Sequence, residues 1–576
     1  MTHEFVWLDW LVIAVGVGAI SYIVYKALLK DKLEQKGESS GAYFLGKGEP
    51  WYVIGAAIFA ANIGSEHLVG LAGAGAKTGF GMAHWEMQGW VILLLGWLFV
   101  PFYQHAKVFT MPEFLNRRYT RTTSSWLSII TLVSYVLTKV SVTAFTGGIF
   151  LESLLGLPFW WGAIGLILLT GVFTVVGGMK GVMVMSKVQT PILIIGAFLV
   201  LFLGLAALGG GSVSDGWTAM LDYANTKLNV GADGTVYGAG HLFHFDANDP
   251  MYEAYPGYSV FIGAAVIGFW YWCTDQHIVQ RVLGQTEGES DEVVMRRARR
   301  GSICAGYFKI LPVFMFLIPG MVAAALLGNN TNGFSMENSD EAFGSLVKFV
   351  LPAGVKGIVT IGFICALVTS LAAFFNSCAT LWTVDFYKPS HPKASEGRLV
   401  AVGRIATIVI VFVGLIWIPV MMSLGSLYEY LQGVQSLLAP AIVAVFALGI
   451  FTKKITPKAG EVGIVAGFVI GMIRLLCNIF NSDGTLNNCS FDPYFHWFWG
   501  SNWLYFELGL LVFIMALMVG VSFVTPQASE AKLKGITMLT LSKEEREETR
   551  RSWNVWDVVA SAGVVAACAI FYILFW

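Results

Sequence analysis

Charged residues are scarce in this chain of 576 residues. Asp, Glu, Lys and Arg together make up 13% of it, whereas 56% of the residues are hydrophobic and the mean hydropathy is +0.67. This composition excludes an ordinary soluble domain and is typical of a polytopic membrane protein in a lipid bilayer. The net charge of −1 lacks the basic excess that nucleic-acid binding requires.

Cysteines are also few, and catalytic motifs are missing. The seven cysteines show neither a metal-ligand spacing nor a disulfide framework. The sequence has no phosphate-binding P-loop, no HExxH motif and no serine nucleophile elbow. No loop is long enough for a nucleotide-binding domain. We therefore expect no enzyme, no ATP-driven pump, no organic cofactor and no obligate protein partner, and an ion gradient is the expected energy source.

Long apolar runs, by contrast, are abundant, and they predict an all-α membrane protein with fourteen transmembrane helices. We number these spans one to fourteen, in order residues 8–29, 52–76, 85–102, 125–154, 160–176, 188–208, 258–283, 305–327, 351–385, 398–422, 427–451, 462–479, 503–523 and 555–576.

Lys and Arg cluster in alternate loops. Basic clusters follow the odd-numbered spans in all seven cases, as with Arg296, Arg297, Arg299 and Arg300 after span seven. Cytoplasmic loops carry such an excess, so both termini are expected outside the cell. The lack of a cysteine-rich external loop favours a bacterial cytoplasmic membrane.

Two apolar spans are interrupted by polar residues at mid-membrane. Span two contains Asn62, Ser65, Glu66 and His67 around glycines, and span seven runs from aromatics into the polar run 274–281. Polar groups and unwound backbone at this depth normally line a cavity. Broken helices five spans apart match the inverted repeats of secondary transporters. The alternative for span two is a polar patch that joins two helices.

Further polar side chains lie inside other spans: Glu86, Lys309, Thr369, Ser370 and Gln432. Together with nearby aromatics they suit a polyhydroxylated ligand, whose hydroxyls both donate and accept hydrogen bonds. Three alternatives remain open. Glu86 and Lys309 could form a buried ion pair, Trp270 and Trp272 could serve packing alone, and the two hydroxyls could bond to the preceding helical turn.

At these residues the sequence resembles the sodium/solute symporter family, in its sodium/glucose cotransporter branch. The resemblance covers about residues 43–454. The matching stretches are Ala61-Asn62-Ile63-Gly64-Ser65 with His67, Thr110-Met111-Pro112-Glu113, Gly177-Gly178, residues 270–281, Phe375-Asn376-Ser377 and Tyr430-Leu431-Gln432.

The resemblance implies a LeuT-type fold with two inverted repeats of five helices. The repeats would cover residues 51–210 and 258–454. The flanking parts would be a first helix and loop at 1–50, an external loop at 211–257, and three helices with a cytoplasmic loop at 455–576.

The resemblance also implies a set of site residues. The substrate contacts would be Asn62, His67, Glu86, Tyr271, Trp272, Lys309 and Gln432. Tyr271 would be the inner gate, and Leu71, Trp85 and Tyr428 would form the outer lid. Sodium would be bound by the carbonyls of Ala60, Ile63 and Ala366 and by the hydroxyls of Thr369 and Ser370, which suit a hard cation.

Two departures from the family pattern affect the expected function. Ser186, followed by Lys187, occupies a position where relatives often carry an Asp linked to a second sodium, so one sodium per cycle is expected. Gly268 replaces a larger polar residue that contacts sugar in relatives. The expected function is sodium-driven symport of a glucose- or galactose-like monosaccharide by alternating access. The alternatives are a sodium symporter for myo-inositol or another polyol, and a sugar-gated sensor or leak channel.

Overall fold

The computed structural model describes residues 4–34, 49–108, 110–283, 289–422, 427–482, 497–498 and 500–576. In the helix Leu427–Phe451, side chains are described from residue 433 onward. Within these ranges the regular structure is helical, apart from two isolated β-bridges in the loop between spans six and seven. The predicted all-α class is therefore confirmed.

Ten stretches of the described residues are long and apolar enough to cross a membrane. They are Glu66–Ala106, Arg121–Leu155, Phe159–Gly178, Gly181–Leu208, Asp291–Gly328, Val355–Ser390, Glu396–Ile416, Gly433–Phe451, Trp503–Val524 and Val555–Leu574. Shorter apolar helices are Trp7–Ile23, Trp51–Asn62 and Ser259–Thr274, and a further helix is Pro457–Ser482. Helices thus occupy all the predicted spans, and the number of membrane crossings stays a prediction.

Span two is a broken helix, as its polar residues predict. The first half, Trp51–Asn62, ends where Ile63 adopts extended backbone with φ −81° and ψ 107°. Helical structure resumes as a π-helix at Glu66–Leu71 and continues as Ala72–Thr78. The carbonyl groups of the last turn before a break have no partners within the helix, so they are free to bind a ligand.

Span seven is broken in a similar way. The helix Ser259–Gly268 passes into the π-helix Phe269–Thr274, and Asp275 is extended with φ −82° and ψ 132°. The short helix Gln276–Val279 follows, and the Asp275 side chain accepts a hydrogen bond from the His277 backbone N–H at 3.2 Å. Both breaks confirm the interpretation of the sequence.

Spans five and six are two helical stretches, Phe159–Gly178 and Gly181–Leu208, as predicted. They join at a kink at Gly178, whose φ of 50° and ψ of −152° are not helical, so the connection is shorter than the interval 177–187 between the predicted spans. Only glycine adopts this backbone conformation readily, so one residue is enough to change the helix direction.

Glycines bring span two against span eight. A Cβ on Gly75 would clash with the Leu317 carbonyl, and a Cβ on Gly320 would clash with the Ala72 carbonyl. The two helices therefore pack backbone to backbone along their second halves. This close approach places Lys309, on span eight, opposite the break in span two.

Candidate binding cavity and cation site

A cavity lies between the broken helices and their neighbours. Its lining combines carboxylates, ammonium groups, amides and aromatic rings: Asn62, Glu66, His67, Trp85, Glu86, Gln88, Lys139, Ile267, Tyr271, Trp272, Lys309 and Gln435. The cavity thus brings together the predicted substrate contacts Asn62, His67, Glu86, Tyr271, Trp272 and Lys309. The side chain of the seventh, Gln432, lies outside the described residues.

Glu86 and Lys309 form a buried ion pair in the cavity wall. Lys309 Nζ donates to Glu86 Oε2 at 2.6 Å, and both residues are at most 4% exposed. His67 Nε2 lies 3.5 Å from Glu86 Oε1 and 3.3 Å from the amide nitrogen of Asn62. The ion-pair alternative is therefore correct for these two residues. They nevertheless line the cavity, where the pair and its neighbours can bind hydroxyl groups.

The aromatic wall is held in place by an amide. Trp272 Nε1 donates to Gln88 Oε1 at 2.9 Å, and Gln88 Nε2 donates to the Ala264 carbonyl at 2.6 Å. Lys309 Nζ lies 5.4 Å from the centre of the Trp272 ring. Trp270 is buried outside the cavity lining, so for this residue the packing alternative applies.

The absence of a side chain at Gly268 leaves room for the amide group of Gln88. A Cβ on residue 268 would lie only 2.7 Å from Gln88 Oε1. The Gln88 amide therefore occupies space that a larger residue at position 268 would need, and a polar group remains at this wall of the cavity.

Tyr271 connects the cavity to a buried polar chain. Its hydroxyl lies 3.1 Å from His277 Nε2, and His277 Nδ1 lies 2.9 Å from Asp275 Oδ1. The Tyr135 hydroxyl donates to the same carboxylate oxygen. A residue next to the cavity is thus tied to the break in span seven, which is a suitable arrangement for a gate.

The predicted outer lid is only partly described. Leu71 and Trp85 are buried, and Trp85 stacks on Trp503 with ring centres 5.6 Å apart and also contacts Tyr255. Trp503 belongs to span thirteen, outside the two predicted repeats. The side chain of Tyr428 lies outside the described residues.

One predicted cation ligand, Ser370, contacts span two at its break. Ser370 Oγ donates to the Ala61 carbonyl at 3.3 Å, which joins span nine to the end of Trp51–Asn62. Thr369 Oγ1 donates to the Cys365 carbonyl at 2.7 Å and also contacts Gln189 Oε1. Bonding to the preceding turn is thus present for Thr369, whereas Ser370 bonds across the helix interface.

Ala60, Ile63 and Ala366, whose carbonyls complete the predicted set, are fully buried. Ala60 and Ile63 lie at the break itself, and Ala366 precedes Thr369 by one turn of span nine. The broken end of span two and one turn of span nine therefore supply oxygens to the same region.

Ser186 and Lys187 are the residues on which the prediction of a single sodium ion per cycle rests. Ser186 Oγ donates to the Val182 carbonyl at 2.8 Å, and Lys187 Nζ pairs with Glu49 Oε2 at 2.6 Å. Because Glu49 neutralises the lysine, Lys187 gives little support to the predicted single sodium. The prediction now depends on the absence of a carboxylate at Ser186.

The family model of the sodium:solute symporter family matches residues 43–471. The chain belongs to this family. Sodium/glucose cotransporter 2 of Rattus norvegicus is 34% identical over 535 residues, which cover 88% of this chain and 78% of that protein. Sodium/myo-inositol cotransporter 2 of Mus musculus is 33% identical, with 88% and 76% covered.

The fold of this family member agrees with a solved structure of a Na⁺-coupled sialic acid symporter. The TM-score is 0.70 at 17% sequence identity, and the match covers 92% of this chain and all of that one. The similarity confirms the LeuT-type architecture expected for this chain. Its family and its many apolar helices also show that it is an integral membrane protein.

Part of this symporter's cavity is lined by residues that the sequence pattern does not single out. Gln88, Lys139, Ile267 and Gln435 were not predicted to line it, and Glu66 was noted only as a polar residue at the break. A lysine within span four, an apolar helix, was a signal that could have identified Lys139. Ile267 carried no such signal, because it resembles every other apolar helix residue.

Proposed function

We propose that this protein is a sodium-coupled symporter that imports a hexose such as glucose or galactose by alternating access. The observation that carries the proposal is the juxtaposition, beside one broken helix, of a polar cavity with an aromatic wall and a cluster of neutral oxygens. The first suits a polyhydroxylated ring and the second suits sodium. Relatives named sodium/glucose cotransporters support both assignments.

Sodium at the junction of spans two and nine holds the outward-open state in this mechanism. Sugar bound between Glu86, Lys309 and Trp272 then favours closure of the lid at Leu71 and Trp85. Loss of sodium to the cytoplasm releases the gate at Tyr271. The residue sets are those given above, and Gln432 completes the sugar contacts.

The energetics permit strong accumulation. One sodium crossing about 100 mV contributes about 2.3 kcal/mol, and a tenfold sodium gradient adds about 1.4 kcal/mol. The sum supports roughly several-hundred-fold accumulation of a neutral sugar per sodium transported.

The proposed arrangement in the membrane follows the basic loops. Both termini lie outside the cell, and the chain resides in a bacterial cytoplasmic membrane. Residues 51–210 and 258–454 form the two inverted repeats, with residues 1–50, 211–257 and 455–576 as the flanking helix, the external loop and the C-terminal helices.

Uptake into proteoliposomes tests the proposal. Radiolabelled glucose, galactose and myo-inositol are supplied with an inward sodium gradient, with a potassium gradient as control. We expect sodium-dependent accumulation of a hexose above equilibrium. Accumulation of myo-inositol alone would favour the polyol assignment, for which the myo-inositol cotransporter relatives are the specific support. Sugar-evoked current without accumulation or counterflow would contradict symport and identify a sensor or channel.

A further inference from the structure

Glu66 is a buried carboxylate, and one of its two oxygens has no hydrogen-bond partner. It begins the π-helix that follows the break in span two and is 8% exposed, and its Oε2 atom makes no hydrogen bond. The other carboxylate of the cavity, Glu86, is paired with Lys309. Because an ionised group inside a membrane normally faces a partner, the open oxygen of Glu66 points to a cation as its ligand.

The position of this oxygen indicates which cation. An ideal Cβ on Gly64 would lie 2.9 Å from Ser370 Oγ, and it would clash with Glu66 Oε2. The carboxylate and the hydroxyl thus face the same small space beside Gly64. Ser370 also contacts the Ala61 carbonyl at the break. Glu66 therefore lies beside Ser370, one of the residues proposed to bind sodium.

Lys139 is a second charged side chain of the cavity lining that forms no salt bridge with the described residues. It is 6% exposed, and its Nζ lies 5.0 Å from the centre of the Tyr271 ring and 5.7 Å from that of Phe374. Glu66 and Lys139 line the same cavity, and their charges attract each other. With Glu86 and Lys309 included, two carboxylates and two ammonium groups are balanced before any ion enters.

We propose that Glu66 is an additional ligand of the transported sodium ion, and that Lys139 is a resident cation that competes with sodium for this carboxylate. The proposal rests on the sodium symport proposed above and adds a charged ligand to its neutral oxygens. Sodium arriving at Ser370 and Glu66 weakens the attraction between Glu66 and Lys139, whose ammonium group lies over the face of Tyr271. Ion binding is thereby communicated to the residue assigned as the inner gate.

Binding of radioactive sodium to the purified full-length protein, without sugar, tests both roles. The variants are Glu66→Gln and Lys139→Gln, alone and together. Glu507→Gln serves as the control for the substitution itself, since Glu507 is a fully buried glutamate of span thirteen that does not line the cavity. The Thr369→Ala/Ser370→Ala variant marks loss of the neutral ligands.

The two single variants are expected to act in opposite directions. Glu66→Gln should raise the sodium Kd about tenfold or more, as expected for loss of a charged ligand, whereas Lys139→Gln should lower it about threefold or more because the competitor is gone. In the double variant, Lys139→Gln should no longer change the sodium Kd, because the Glu66 carboxylate for which lysine and sodium compete is gone. The control Glu507→Gln should change the sodium Kd by less than about threefold, because Glu507 lies outside the cavity lining.

Other outcomes separate the two proposals. An unchanged Kd in Glu66→Gln, as for a carboxyl that is protonated and purely structural, overturns the role of Glu66. A Lys139→Gln effect that persists without Glu66 overturns the competition. If the wild-type protein binds no sodium at all, the proposed symport itself is wrong. Should Glu66→Gln fail to fold, Glu66→Asp and Lys139→Gln still decide, because a shorter carboxylate should give an intermediate Kd.

Discussion

At the scale of single residues, the cavity is distinguished by how its charges are arranged. Glu86 and Lys309 satisfy each other at 2.6 Å, whereas Glu66 Oε2 has no hydrogen-bond partner. A paired group can hold a neutral sugar without attracting an ion, and an unpaired carboxylate attracts a cation. The same side-chain type therefore serves two purposes because its neighbours differ.

The neutral oxygens of the cation site can be tested directly. The Thr369→Ala/Ser370→Ala variant removes two of the five oxygens proposed for sodium. Both residues are fully buried, and Ser370 contacts the Ala61 carbonyl of span two. We expect the apparent sodium affinity of uptake to fall at least about tenfold, the equivalent of one lost hydrogen bond to an ion. The control is correct insertion and an unchanged elution profile. Retention of the wild-type sodium dependence would show that the site lies elsewhere.

The sugar site is tested at Glu86. Glu86→Gln keeps the side-chain volume but removes a charge, so sugar affinity should fall about tenfold or more. The change also leaves Lys309 buried without its partner, which costs about 3–5 kcal/mol of stability. The Glu86→Gln/Lys309→Met variant should therefore recover thermal stability but not sugar affinity. An unchanged sugar Kd in both variants would remove this pair from the binding site.

At the scale of helices, π-helical segments surround the cavity. They are Glu66–Leu71 in span two, Tyr135–Val140 in span four and Phe269–Thr274 in span seven. A π-helical turn shifts the residues that follow it around the helix axis, and such turns occur often at functional sites. Glu66, Lys139 and Tyr271 each lie in one of these segments and line the cavity. Breaks and π-turns together direct these polar groups inward.

The glycine contact between spans two and eight should be sensitive to a single methyl group. In Gly320→Ala the new Cβ would clash with the Ala72 carbonyl. We expect a loss of about 1–3 kcal/mol, typical of overpacking, and a lower melting temperature in detergent. Gly165→Ala is the matched control, because a Cβ there meets nothing within 4 Å. It should keep or raise the melting temperature, since alanine favours helix by about 1 kcal/mol. Equal melting temperatures would contradict the close packing.

At the scale of the whole molecule, coupling requires that distant parts of the chain meet. The cavity is lined by residues from position 62 to position 435, and Trp85 stacks on Trp503 of the helix Trp503–Val524. The loop at 209–257 also contacts the end of the chain, as the Leu242 N–H donates to the Phe575 carbonyl at 2.8 Å. Trp85, which lines the cavity, thus contacts a part of the chain outside the two predicted repeats.

The number of sodium ions per transport cycle is also a property of the whole molecule. A second sodium ion would lack an acidic ligand at position 186. The hydroxyl of Ser186, which stands there, donates a hydrogen bond to the Val182 carbonyl. We therefore predict one sodium per sugar. In proteoliposomes at zero voltage, a given sodium ratio should then balance an equal sugar ratio, and two sodium ions would balance the square of that ratio. A squared dependence would contradict the prediction. Ser186→Asp should be measured in the same way for a shift toward two.

The amino-acid sequence is informative where the membrane makes exceptions costly. Polar residues are easy to recognise within an apolar span. The sequence therefore predicted the breaks in spans two and seven, the polar residues Glu86 and Lys309, and the aromatic run of span seven. The resemblance to a family then supplied the LeuT-type fold. In each case the signal is local, because one polar group in hydrocarbon is unfavourable whatever its distant neighbours are.

Distances across the fold could not be predicted in this way. The pairing of Lys187 with Glu49, the Gln88 amide beside Gly268, and the open oxygen of Glu66 beside Ser370 all join residues far apart in the chain or depend on where a third residue lies. The sequence by itself determined the membrane class, the broken helices and most of the polar residues in the cavity. The tertiary structure alone decided which charges are paired and which remain open, because pairing depends on the distances between side chains, and these exist only once the helices have packed.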